Sequence, residues 1–384
     1  MNIVHLTEET VGVKGGKESH IARFIENSIA AGHQNVILPD TVKRISEVDS
    51  LENSVTTGRI RFKPDIILLH SRGSWALADM MRQIAPTYAW IHDYAFMCPA
   101  SISWFRENQE ICHLPLGMHC ITNAYTKWCN ARRPDRNIRN YLAVRHALSK
   151  VASFDGLIVA SEYMKERLIT NNVPLSSIHV LPYFITKEFT AEVDYSCENP
   201  NRILFVGRLT EVKGVEILLD ALSILPEKYE LILAGDGYQK GNIERHRDEI
   251  GLAKDRVVFA GYVDDENRMR ELYQTAAVVT VPSLWPEPFG IVGLESFLYG
   301  KPVVAFDVGG ISEWLADGEV GLLAMPANAV DLAAKLLRLL EDSSYRHQLG
   351  LQGNKRAKEV FSWEKHWERF LEIVNVTHYE SCLS

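Results

Sequence analysis

The sequence predicts an α/β protein built from two doubly wound, Rossmann-like domains. Three observations carry that expectation. The chain has 384 residues, and about 100–200 residues per domain makes one core too few. Short apolar runs, rich in Val, Ile and Leu, recur without alternation, as in strands covered on both faces. Amphipathic segments of helical period lie between them.

Six runs fall in the first half: Asn2–Thr7, Asn35–Pro39, Asp65–His70, Tyr88–Asp93, Gly156–Ser161 and Ile178–Pro182. Six more fall in the second: Arg202–Gly207, Tyr229–Gly235, Val257–Gly261, Ala276–Ser283, Pro302–Phe306 and Gly321–Met325. Intervening helices include Val215–Leu225 and Asn328–Leu340, where Leu332, Leu336, Leu339 and Leu340 share one face. Two strand–helix sets of similar size argue for two doubly wound domains. The seam is expected in the polar stretch Thr186–Pro200. Ligands of such sheets bind beyond the C-terminal strand ends, so two facing domains would hold theirs in the cleft between them.

Composition narrows the function. Hydrophobic residues make 46% and charged residues 23% of the chain, as in an ordinary globular protein. Residues 1–195 carry 21 Lys+Arg against 20 Asp+Glu, whereas residues 196–384 carry 20 against 29. An acidic half is a poor general binder of nucleic acid, so any anion there must meet a few aimed groups. No apolar run is long enough to span a membrane, and the start NIVHLT has no signal-segment pattern. The expectation is a cytoplasmic protein. Cys98, Cys112, Cys120 and Cys129 share one stretch, with His113 and His119 nearby. The irregular gaps and the lack of any C-x-x-C pair favour free thiols over zinc. A dehydrogenase is the main rival for the α/β pattern. Its G-x-G-x-x-G fingerprint is absent: after Gly235-Asp236-Gly237 the next glycine, Gly241, comes one residue too late.

Two motifs carry chemistry. GRLTEVKG, Gly207 to Gly214, follows a strand and opens a helix. Arg208, Lys213 and the helix N-terminus would converge on a diphosphate; the plain alternative is a solvated Arg and Lys. EPFGIVGLE, Glu287 to Glu295, brackets its first carboxylate with Pro286 and Pro288 and continues through Gly290 into an apolar helix. Its two carboxylates lie at most about 12 Å apart at helical rise, enough to put one at a sugar and one at a ribose. Gly261 in FAGYV would read a base edge through its backbone, and Gly309-Gly310 offers a phosphate or sugar contact. Both are weak signals alone.

In their order, GRL-x-x-x-K-G, AGDG, F-x-G-Y-V, PEPFG-x-V-x-x-E and GG, these motifs resemble the retaining GT-B glycosyltransferases of family four over about Arg202–Gly321. The resemblance implies that Arg208 and Lys213 hold the donor diphosphate beside Gly207 and Gly235. It implies that Glu287 binds the donor sugar and Glu295 the ribose. Gly261, Tyr262 and Val263 would meet the base, and backbone N–H groups around Phe289, Gly290, Ile291 and Val292 the sugar and phosphates. In the first half, Gly15-Gly16 corresponds to the family's glycine-rich loop, and His92 in WIHDYAFMCP would face the reacting sugar. His92, Glu287, Arg208 and Lys213 are thus the candidate catalytic residues.

The resemblance further implies domains at 1–190 and 191–361, with residues 362–384 packing back on the first. It implies transfer, with retention, of a hexose to a glycan or lipid-linked acceptor in polysaccharide or glycoconjugate synthesis. Arg208, Lys213 and a helix N-terminus can carry the diphosphate charge, so that transfer is expected to be metal-independent. UDP-glucose is the expected donor, as substrate and without a cofactor. A GDP-sugar donor and a nucleotide-sugar epimerase are the alternatives. No D-x-D triplet is present to hold a divalent ion on the diphosphate. Residues 127–150 hold Lys127, Arg132, Arg133, Arg136, Arg139, Arg145 and Lys150 against Asp135. That stretch reads either as a surface for an anionic lipid-linked acceptor or membrane headgroups, or as a solvated helix face.

Overall fold

A computed structural model describes residues 1–7, 15–39, 63–72, 75–151, 153–186 and 193–381. In chain order its strands are β1 Asn2–Thr7, β2 Gln34–Pro39, β3 Ile66–Leu69, β4 Thr87–Ile91, β5 Trp104–Phe105, β6 Glu110–Ile111, β7 Gly156–Val159 and β8 Ile178–Val180, then β9 Arg202–Val206, β10 Glu230–Ala234, β11 Val257–Gly261, β12 Val278–Val281, β13 Val303–Phe306 and β14 Gly321–Ala324. Two six-stranded sheets result, ordered β2-β1-β3-β4-β7-β8 and β11-β10-β9-β12-β13-β14. Every pairing within them is parallel. Each of the twelve runs read from the sequence overlaps one of these strands, β2 and β4 each beginning one residue earlier, at Gln34 and Thr87.

The chain divides into two compact units. One comprises Met1–Ser103, Cys112–Tyr183 and Glu364–Ser384; the other comprises Trp104–Ile111 and Phe184–Trp363. The chain passes from the first to the second between Tyr183 and Phe184, just before the polar stretch read as the seam. Residues 187–192 of that stretch lie outside the described residues. In each sheet the strand order reverses beside the first strand of its unit, β1 and β9. That reversal is where doubly wound folds bind ligands.

One pair was not legible. β5 and β6 form a two-residue antiparallel hairpin, with Trp104 opposite Ile111 and Phe105 opposite Glu110. Strands so short give no period, and the turn uses Gln109 at φ 58° in place of a glycine.

The helices end where capping chemistry dictates. Asn328 accepts from the Asp331 N–H at 3.0 Å and starts the helix Ala329–Glu341. Leu332, Leu336, Leu339 and Leu340 are all buried there. Ser161 and Asp265 cap the helices Glu162–Thr170 and Glu266–Thr275 in the same way. The last helix, Trp363–Ser381, buries His366, Phe370, Ile373 and Val374. Leu371 is only half-buried, because i, i+4 and i+7 from His366 fall on Phe370 and Ile373. Within the first unit Phe370 meets Phe24 and Trp90, and the Tyr88 hydroxyl donates to the Ile373 carbonyl at 3.4 Å.

In the second unit one buried carboxylate ties down the entering chain. Glu198 pairs with Lys301 at 2.6 Å, Arg346 at 2.7 Å and His347 at 2.9 Å. Burial raises the Glu198 carboxyl, but the Lys301 charge and the hydrogen bonds from Lys301, His347 and Arg346 outweigh it and hold the group below the usual range.

Candidate functional site

The loop after β9 is shaped by close backbone approach. At Gly235 a Cβ would lie 1.8 Å from the Gly207 carbonyl oxygen, and at Gly214 one would lie 1.9 Å from that of Pro282. Gly214 also has φ 66° and begins the helix Val215–Ile224. Only glycine permits both the handedness and the contact. The loops after β9, β10 and β12 therefore meet, and Lys213, in the short turn Glu211–Lys213, comes to lie beside the PEPF segment.

There Lys213 Nζ lies 2.5 Å from Glu287 Oε1, and the Ser283 hydroxyl donates to the same oxygen at 2.5 Å. Lys213 also sits over the Trp285 ring, 5.4 Å from its centre. Glu287 is 5% exposed. Burial alone would raise its carboxyl; the Lys213 charge and hydrogen bonds from Lys213, Ser283 and Trp285 prevail and hold it below the usual range. The site thus keeps a charged carboxylate almost out of water. The main chain of Glu287 is held as well: Gly310 N–H donates to its carbonyl at 2.8 Å, and a Cβ at Gly309 would lie 2.3 Å from that oxygen.

Gly290, at φ 96°, opens the helix Ile291–Leu298. The Trp314 indole N–H donates to the Phe289 carbonyl at 2.5 Å and closes the preceding turn. Phe289 is buried, whereas Ile291 and Val292 on the first helical turn are half-buried. Their N–H groups are the ones an α-helix leaves unpaired. Glu295, half-buried on the same helix, accepts from the Tyr273 hydroxyl at 3.2 Å. Arg208 is exposed and makes no ion pair with any described residue. Gly261 ends β11 at φ 73°, followed by exposed Tyr262 and half-buried Val263. Arg106, on the β5–β6 hairpin, donates to Glu211 at 2.6 Å. Ser283, Trp285, Tyr273 and Arg106 were not singled out from sequence. The first two stand within four residues of Glu287; nothing in the sequence marks the other two.

In the first unit Gly15 is the extended residue before the helix Gly16–Ala30, with Glu18 Oε2 2.6 Å from the place of a Cβ. The preceding Val11–Lys14 lie outside the described residues. His92 follows β4 and is 5% exposed. Both of its ring nitrogens meet partners inside this unit: Nε2 lies 2.9 Å from His70 and Nδ1 3.3 Å from the Tyr183 hydroxyl.

Cys98, Cys112, Cys120 and Cys129 are half-buried free thiols. Burial raises Cys112 and Cys120 and pushes Cys129 up to about 12, with the neighbouring thiols adding to the shift. Among the described residues no group of three or more His, Cys, Asp or Glu is arranged to hold a metal. Cys382 lies outside them. In the basic stretch, Arg132 stacks on Trp128 at 5.5 Å, Lys150 pairs with Asp79 at 2.7 Å, and Arg139 pairs with Asp135 at 3.2 Å. Met118, Tyr125, Trp128, Ile138 and Leu142 are exposed around them. No helix among the described residues is long and apolar enough to cross a membrane.

Residues 187–356 match the family described as glycosyl transferases group 1. An uncharacterized glycosyltransferase of Methanocaldococcus jannaschii is 30% identical over 237 residues, covering 57% of this chain and 60% of that protein. The alpha-D-kanosaminyltransferase of Streptomyces kanamyceticus is 29% identical over 220 residues, covering 54% of this chain and 56% of that one. The chain therefore matches little more than half the length of these relatives. Among solved structures, Anabaena HepE in complex with UDP-glucose superimposes with TM-score 0.72 at 20% identity, covering 99% of this chain and 100% of that one. The sucrose-phosphate synthase of Thermosynechococcus elongatus does so with TM-score 0.69 at 20% identity, covering 100% of both. These structures share the GT-B fold with this chain.

Proposed function

We propose that this chain, whose residues 187–356 carry a glycosyl transferases group 1 domain within a GT-B fold, moves a hexose from a nucleoside diphosphate to a saccharide or lipid-linked acceptor, with retention at the anomeric carbon. The observation that carries this reading is Glu287: a buried carboxylate kept charged by Lys213, with Ser283 on the same oxygen. A fixed anion suits the hydroxyls of a sugar, which can donate to it. Lys213 and Arg208 suit the diphosphate that leaves, and their charge would stabilise it as the glycosidic bond breaks. The first-turn N–H groups of Ile291–Leu298 add to this field. Glu295 is the proposed partner of the ribose and Gly261–Val263 of the base.

UDP-glucose is the first donor to test, since a neighbour of the same fold has been solved with it. Two cations and a helix terminus can carry the diphosphate charge, so the reading includes independence from divalent ions. Full loss of transfer in EDTA, restored by Mg²⁺ or Mn²⁺, would refute that part. A thermal-shift panel of UDP- and GDP-sugars, followed by donor consumption with and without saccharide acceptors, tests the whole. Stabilisation by one nucleotide sugar and acceptor-dependent release of nucleoside diphosphate are expected. Conversion of the donor to an isomer with no acceptor would instead mark an epimerase. The exposed Trp128, Ile138 and Leu142 among Arg132, Arg136, Arg139 and Arg145 favour a cytoplasmic membrane face as the place of the acceptor. Co-sedimentation with phosphatidylglycerol vesicles, lost in an Arg136→Glu/Arg139→Glu variant, tests it.

A further inference from the structure

Four neighbouring strands of the first sheet each place one polar side chain in a continuous line, buried except at the half-buried Asn35. Asn35 is on β2, His5 on β1, His70 just past β3 and His92 just past β4. His5 Nε2 lies 2.9 Å from Asn35 Oδ1, His5 Nδ1 lies 3.0 Å from His70 Nε2, and His70 Nδ1 lies 2.9 Å from His92 Nε2. The line ends where His92 Nδ1 meets the Tyr183 hydroxyl at 3.3 Å. All three imidazoles are at most 5% exposed.

The direction of these hydrogen bonds is set at the far end. The Ser28 hydroxyl donates to the Ile25 carbonyl at 2.9 Å, so it accepts from Asn35 Nδ2 at 2.7 Å. Asn35 therefore turns its carbonyl oxygen to His5, which must donate from Nε2. A neutral His5 then has a bare Nδ1, which accepts from His70 Nε2–H. By the same step His70 Nδ1 accepts from His92 Nε2–H, leaving His92 Nδ1 bare and accepting from Tyr183. Burial keeps the rings neutral; charge on His92, His5, Lys17 or His20 also opposes a positive charge on His70, and Lys17 opposes one on His92. Asn35 has no basic site, so no proton can leave at that end. The line is suited to locking, not to shuttling.

We propose that Asn35, His5 and His70 are positioning residues that lock His92 as its Nε2–H tautomer and present Nδ1 solely as a hydrogen-bond acceptor at the C-terminal edge of the sheet. This inference rests on the reading that places His92 at the reacting sugar. On that reading the group His92 can engage, by displacing Tyr183, is a hydroxyl that donates to it, and neither an anion nor a carbonyl. Buried partners of a reacting imidazole fix its tautomer and orientation, and losing such a partner commonly costs about 10–100-fold in activity.

The test uses the full chain labelled with ¹⁵N-histidine, with long-range proton–nitrogen spectra at pH 7 assigned through His92→Gln and His70→Gln. In the unsubstituted protein His92 should show a protonated Nε2 and a bare Nδ1. Tyr183→Phe should leave that pattern intact, because the lock comes from the other end. Asn35→Leu should give a mixture of tautomers and lower kcat about tenfold with little change in donor KM. Ser28→Ala, which lets the Asn35 amide turn over, keeps the test open if Asn35→Leu does not fold; it should show the same mixture. A His92 protonated at Nδ1, or a pattern unmoved by both the Asn35 and Ser28 substitutions, overturns the lock. An altered tautomer with unchanged kcat overturns its role in transfer. Full activity in His92→Gln would fail the reading of His92 itself, a result separable from the spectra.

Discussion

Lys213 and Glu287 show how one pair can serve both folding and chemistry. Lys213 is the near partner of a carboxylate that is almost wholly out of water. Lys213→Ala should therefore cost stability, about 3–5 kcal/mol, by leaving Glu287 unpaired, and lower kcat/KM about 10²–10³-fold. Adding Glu287→Gln removes the stranded charge, so the double variant should recover melting temperature without recovering activity. Arg208 is exposed and unpaired among the described residues. Arg208→Ala should then leave stability unchanged while lowering kcat/KM by the same order. Thermal melts beside steady-state kinetics separate the two variants. Unchanged kinetics in both, with intact folds, would remove the diphosphate assignment.

At the scale of elements, the helix Ile291–Leu298 sits against a tryptophan because it carries a glycine. A Cβ at Gly293 would lie 2.0 Å from the Trp314 ring, and that ring is fully buried with its N–H bound to Phe289. A rigid buried ring cannot swing aside, so Gly293→Ala should cost about 1–3 kcal/mol by overpacking. In a unit of this size that lowers the melting temperature by about 2–12 °C. The Phe289–Gly290 turn would shift with it, so donor affinity should fall too. A melt within 1 °C of the unsubstituted protein, to take about the smallest resolvable change, would show that the ring yields.

At the scale of the whole molecule, the two units should respond differently to acid and to truncation. Burial lowers His5 to about 4 and His366 to about 3, and lowers His20, His70 and His92 as well, all in the first unit. Unfolded, each would titrate near 6.5 and bind a proton that the folded chain refuses. Their contribution to stability is thus fully present above about pH 6.5 and is withdrawn as pH falls toward about 4 and then about 3. Each ring withdraws up to about 1.4 kcal/mol per pH unit in that window. Tryptophan fluorescence of Trp90 should report melting of the first unit at a pH where the second stays folded; a melting temperature level from pH 7 to 4 would contradict it. Deleting residues 364–384 takes Phe370, Ile373 and Val374 out of the core around Phe24 and Trp90. Transfer should vanish while UDP binding, measured by calorimetry, persists, because the proposed contacts to the diphosphate, ribose and base (Arg208, Lys213, Glu295 and Gly261–Val263) are all in the other unit. Equal loss of both would tie the helix to the second unit's stability.

The sequence by itself determined the twelve strands and the parallel α/β class. Unbroken Val/Ile/Leu runs leave a strand no face for water, and the glycines after β9 and β10 admit few alternatives to a tight loop. It also delivered the segment around Glu287, since Pro, Gly and Glu fall within one local turn. It did not reveal the two-residue β5–β6 hairpin or Arg106 on Glu211, because neither leaves a periodic trace and the partners stand 105 residues apart. Nor could it reveal that Asn35, His5, His70 and His92 form one line. Each lies on or just past a different strand, 22 to 65 residues from its partner. Only the strand order β2-β1-β3-β4 sets them side by side, and that order is decided by how sheet and helices pack, not by any local preference of the chain.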